Sequence, residues 1–137
     1  MKNNKGYSLI ELLAVVVILG IISILTIVGY TNYIRYSKQR SYDMMAKSAA
    51  EAAEEYSMDN IGLDTVTLGE LTEEQYLERP EDPGSKGKVC TGKVKITYKS
   101  NTTGLDTQEY DVSICCANYK YRYHFPGGNK TAISSCN

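Results

Sequence analysis

The chain has 137 residues, enough for one domain and little more. Fifteen Lys and Arg against sixteen Asp and Glu leave a formal net charge of −1, which excludes the global basic excess of a nucleic-acid binder. Eleven Gly and three Pro exclude a collagen-like or low-complexity chain. The apolar residues are unevenly spread. From Leu9 to Val28, 16 of 20 residues are apolar, and the residues beyond Val28 are far more polar. Composition therefore points to an apolar N-terminus joined to a small soluble domain.

The first thirty residues place two lysines, Lys2 and Lys5, before Gly6, then an apolar run that carries no charge between Leu12 and Ile34. Twenty helical residues span about 30 Å, the hydrocarbon thickness of a bilayer. A secretory signal peptide would need a small-x-small site after the run, which Gly29-Tyr30-Thr31 does not supply. An ordinary single-span anchor leaves Glu11 unexplained, because a carboxylate within a membrane helix is costly and functional by default. A bland alternative is a helix-terminal acid favoured by the helix dipole, but it does not account for the position of Gly6.

The string Lys5-Gly6-Tyr7-Ser8-Leu9-Ile10-Glu11 resembles the processing site of type IV prepilins and type II secretion pseudopilins. Tyr7 stands where that family most often has Phe, and the Pro that many relatives carry late in the apolar run is absent. The resemblance implies a leader at residues 1–6, cleavage between Gly6 and Tyr7 by a prepilin peptidase, and N-methylation of Tyr7. It also implies an assembly role for Glu11, whose carboxylate would pair with the Tyr7 amine of a neighbouring subunit. Residues 7–29 would form the transmembrane and filament-core half of a long helix, and residues 30–137 an extracellular globular domain. The implied partners are further copies of the chain in a filament, an assembly ATPase and an inner-membrane platform protein. The implied location is the cell membrane, with the N-terminus cytoplasmic, and then a filament on the bacterial surface. Alternatives are a pseudopilin of a secretion or DNA-uptake system, or a membrane-anchored binding domain that never polymerises.

Residues 30–58 contain no Pro and no Gly, so the helix is expected to continue past Val28 and Gly29. Helix from Ser8 to Met58 would be 51 residues and about 76 Å long. Tyr42, Met45, Ala49, Ala53 and Tyr56 form one apolar stripe, with Arg40, Asp43, Lys47, Glu51 and Glu54 opposite. Asp43–Lys47 and Lys47–Glu51 are expected i,i+4 pairs. Tyr30, Tyr33 and Tyr36 read as an interfacial aromatic belt. Residues 59–88 read as a linker with short helical pieces, with capping boxes at Thr67–Glu70 and Thr72–Gln75 and Tyr76-Leu77 packing inward. The acids from Glu70 to Asp82 are expected on a solvated surface.

Beyond Pro83, residues alternate as in half-buried strands. Cys90, Val94, Ile96 and Tyr98 share a face in the first, Tyr110, Val112, Ile114 and Cys116 in the second, and Tyr119, Tyr121, Tyr123 and Phe125 in a third that ends at Pro126-Gly127-Gly128. The expected fold is α+β, with a C-terminal antiparallel β-meander packed on the second half of the long helix. Four Cys suggest two disulfides. Three connectivities exist, and facing favours Cys90–Cys116 with Cys115–Cys136.

No cofactor and no metal are expected. Cys90, Cys115, Cys116, Cys136 and His124 lack Cys-x-x-Cys spacing, and adjacent Cys on a strand point apart. His124 reads as an exposed strand histidine. Asn101, Asp106, Glu109 and Asp111 lack calcium-loop spacing. One His without a second positioned base, and no Gly-rich phosphate loop, argue against an enzyme. Lys86, Lys88, Lys93, Lys95 and Lys99 form a basic stripe that could touch DNA, but the tyrosines that would stack on bases face inward by alternation.

Overall fold

The computed structural model describes residues 7–100 and 106–136, apart from the side chains at positions 25, 26 and 28. It has α+β architecture: a long N-terminal helix followed by a five-stranded antiparallel sheet. Helix α1 covers Leu9–Asp59, 51 residues. It ends where Asn60 returns its side-chain Nδ2–H and its backbone N–H to the Tyr56 carbonyl, and Gly62 then takes a positive φ of 91°. The chain divides into two compact units, Met1–Ser37 and Lys38–Asn137.

In the second unit the helix contributes Tyr42, Ala49 and Ala53 to the core, with Met45 and Tyr56 packed at its edge. Ala46, Ala50 and Ala52 join them. Five alanines on the buried side pack into the core and cost no side-chain entropy on burial. On the other side Lys47 pairs with Glu51 at 3.7 Å. The expected Asp43–Lys47 pair does not form. Asp43 instead accepts hydrogen bonds from Lys130 Nζ at 2.9 Å and Tyr123 Oη at 2.8 Å. Two donors in a partly desolvated site outweigh one solvated neighbour on the same helix.

The segment after α1 is more ordered than a linker. Strand β1 is Thr65–Thr67 and helix α2 is Leu68–Glu73. The Thr67–Glu70 capping box is present: Glu70 N–H donates to Thr67 Oγ1 at 3.2 Å, and Thr67 N–H donates to Glu70 Oε2 at 2.8 Å. The second expected box is not. Thr72 lies inside α2, where its hydroxyl donates to the Leu68 carbonyl at 2.8 Å, and Gln75 has a positive φ of 65°. Leu68 and Leu71 are buried completely and Leu77 nearly so.

Strands β2 (Thr91–Ser100), β3 (Asp106–Cys115), β4 (Lys120–Phe125) and β5 (Asn129–Ala132) complete a sheet ordered β1-β2-β3-β4-β5. Its inner face carries Val66, Val94, Ile96, Tyr110, Val112, Ile114 and Tyr123. The third expected strand does not end the sheet. The chain reverses through Gly128, with φ of 66°, and adds β5, all four residues of which are exposed and show no apolar period.

Gly92 faces Ile114 across the β2–β3 ladder. A Cβ there would overlap the Ser113 carbonyl oxygen and lie 2.6 Å from Leu68 Cδ1. A carbonyl held in a ladder cannot retreat as a side chain can. Gly92→Ala is therefore expected to lower stability by about 3 kcal/mol, read as a lower denaturant midpoint for the chain in detergent. An unchanged midpoint would show that the β1–β2 edge yields.

Candidate processing and assembly site

Ser8-Leu9-Ile10-Glu11 has the Ser-x-x-Glu form of a helix start. Glu11 Oε2 accepts the Ser8 backbone N–H at 2.9 Å, and the Glu11 and Leu12 amides donate to the Ser8 carbonyl at 3.0 and 3.2 Å. The carboxylate thus satisfies an N–H at the helix start, where the dipole also favours negative charge. Tyr7, immediately outside the helix, is 87% exposed. Gly6 lies outside the described residues, as does most of the turn holding Asn101.

Beyond Glu11 the first unit presents apolar side chains in every direction. Leu12, Leu13, Val15, Val16, Val17, Ile18 and Leu19 are each more than half exposed, and at 100° per residue they encircle the axis. This segment of α1 is long and apolar enough to cross a membrane. Such a surface is consistent with membrane anchoring. Tyr30, Tyr33 and Tyr36 follow it, all exposed.

The cysteines lie in the second unit. The structure joins Cys90 to Cys116, with Cα atoms 4.3 Å apart, and Cys115 to Cys136, with Cα atoms 6.2 Å apart. The register Thr91↔Cys115 brings Cys90 and Cys116 together just past the end of the ladder.

Asp82 departs from the expectation of a solvated acid, being only 5% exposed. Its Oδ1 accepts Tyr42 Oη–H at 2.6 Å and Gly84 N–H at 2.7 Å, and its Oδ2 accepts Ala117 N–H at 3.2 Å. Burial acts to raise its pKa, but these three bonds and the Lys88 charge prevail and hold it below the usual carboxylate value. The same contact raises the Tyr42 hydroxyl to about 12, with burial the larger cause. Asp82 and the sulfurs of Cys90 and Cys116 lie within 4.8 Å of one another. The sulfurs are joined in a disulfide and the carboxylate is engaged by three donors, so this set is a structural clasp rather than a metal-ligand set.

On the outer sheet face His124 Nδ1 lies 2.8 Å from Asp111 Oδ1, and Nε2 lies 3.8 Å from Glu109 Oε2. Lys99 bonds Glu109 at 2.7 Å, and Lys95 stands opposite Asp111 in the ladder. Acidic positions on β3 thus offset part of the lysine stripe. Tyr123 lies on the inner face, away from it. Sequence reasoning missed the roles of Asp82, Ser8 and Lys130. Of these, only Ser8 had a local signal, its spacing from Glu11.

No curated protein and no solved structure matches the chain. Residues 1–27 match the family described as the prokaryotic N-terminal methylation motif. The long apolar helix and this match fit a type IV pilin-like or pseudopilin subunit. At its N-terminus the chain carries the type IV pilin and pseudopilin signature.

Proposed function

We propose that this chain is a structural subunit of a type IV pilus-like extracellular filament, cut between Gly6 and Tyr7 and polymerised through its apolar helix. The observation that carries the reading is the register of Gly6, Tyr7 and Glu11 ahead of an apolar helical segment, residues 12–19, that is exposed on every side. Cleavage on the cytoplasmic side by a prepilin peptidase would leave a free ammonium on Tyr7, one helical turn before Glu11. Methylation of that amine keeps its positive charge. When helices leave lipid and pack side by side, the Glu11 carboxylate meets the Tyr7 ammonium of a neighbouring subunit. In a core without water, an unpaired charge costs several kcal/mol, so the pair selects one stagger among many apolar alternatives. An assembly ATPase and an inner-membrane platform protein would supply the work of extraction. Residues 30–137 would then form the filament surface.

Intact mass and N-terminal sequencing of protein sheared from cells test this. The expected chain begins at methylated Tyr7. A chain that retains Met1 and stays in membranes would replace the reading with an anchored domain.

A further inference from the structure

One exposed stripe of α1 within the second unit has nothing packed on it among the described residues. Arg40, Met44, Lys47, Glu51, Glu54 and Met58 succeed one another at spacings of four, three, four, three and four residues, and all six are exposed. Met44 and Met58 are large apolar side chains left 62% and 69% exposed. The spacing is that of a seam where two helices pack with a slight left-handed crossing. The buried stripe of Tyr42, Ala46, Ala49 and Ala53, with Tyr56 at its edge, has the same period on the opposite side of α1.

Charge along the seam is ordered: Arg40 and Lys47 at one end, Glu51 and Glu54 at the other. Lys47 and Glu51 pair within the chain at 3.7 Å. Among the described residues Arg40 and Glu54 form no ion pair. Two parallel copies in register would set Arg40 against Arg40 and Glu54 against Glu54. A shift of one heptad sets Glu54 against Lys47 but also Lys47 against Arg40, and it leaves Met44 and Met58 each facing Glu51. A shift of two heptads sets Glu54 against Arg40 and Met58 against Met44, so charge and apolar surface are both complemented. Two heptads correspond to about 21 Å along the axis.

We propose that this face is a lateral contact with a second copy of the chain, parallel to the first and displaced by 14 residues, with Glu54 on Arg40 and Met58 on Met44. It rests on the filament reading above, which requires parallel copies, and adds a contact in the soluble domain to the one at Glu11.

A photoreactive phenylalanine analogue in place of Met58, in cells assembling the full chain, tests the contact directly. The expected product is a crosslinked pair whose adduct maps to the peptide around Met44. Separately, Arg40→Glu or Glu54→Arg alone is expected to lower sheared filament about tenfold. The double variant is expected to return it to within about twofold. Both positions are exposed, and intact disulfides on a non-reducing gel establish that the variants fold. Adducts mapping elsewhere, or a double variant no better than the singles, overturn the contact. If the unmodified chain is sheared off beginning at Tyr7 in that case, the filament reading stands. An unmodified chain held wholly in membranes overturns both.

Discussion

Asp82→Ala is expected to lower the melting temperature of the chain in detergent by about 15 °C, corresponding to roughly 3 kcal/mol for a domain of this size. The cost comes from what the substitution strands. Tyr42 Oη–H, on a buried side chain, loses its acceptor, and so do the Gly84 and Ala117 N–H groups at the rim of the site. Tyr42 is also stacked on Tyr119 with centroids 3.9 Å apart, so it cannot easily swing away to find water. Three parts of the domain meet at this carboxylate: α1, the loop through residues 82–84, and the turn after Cys116. Tyr42→Phe removes one of three bonds and is expected to cost about 1 kcal/mol. The pH dependence has a definite sign. Asp82 has a folded pKa below its unfolded one, so its contribution is complete above the ordinary carboxylate value near 4 and is lost as pH falls through the folded value. Wild type should therefore lose stability in acid more steeply than Asp82→Asn. A melting temperature unchanged in Asp82→Ala would show that the clasp is incidental to the fold.

Local signals carried much of this architecture. The apolar run and the absence of Pro and Gly from 30 to 58 are properties of neighbouring residues, and they mark α1 to within a residue of its observed ends. Alternation in β2 and β3 is similarly local, and it separates Cys116 from Cys115 by face, so the disulfide pairing is a consequence of strand geometry. Strand β1 was not legible, because three residues with one buried valine have no period to read. Strand β5 is exposed throughout and is held by pairing with β4 rather than by burial. Asp82 looked like one more surface acid, since its donors Tyr42 and Ala117 lie 40 and 35 residues away. Asp43 misled for the same reason: Lys47 is near in sequence, while Lys130 is near in space. Among carboxylates, only tertiary contact tells a clasp from a solvated side chain.

Glu11→Ala is expected to insert into the membrane and be cleaved after Gly6, yet to lower sheared filament at least tenfold. Insertion should not suffer, because removing a carboxylate from an apolar helix lessens the cost of burying it in lipid. Assembly should suffer because a neighbour's Tyr7 ammonium would enter an apolar core without a counter-charge, at a cost of about 3–5 kcal/mol per subunit. The structure adds a complication to the alanine result. Glu11 also accepts the Ser8 N–H at 2.9 Å, so alanine removes a helix-start bond worth about 1 kcal/mol as well as a charge. Glu11→Gln separates the two effects. Its amide oxygen can still accept from Ser8, but it carries no charge. If ion pairing sets the stagger, Gln assembles as poorly as Ala, and the helix start remains intact. If Gln assembles as well as wild type, Glu11 serves to begin the helix, and the subunits must find their stagger from apolar packing and the soluble domains alone.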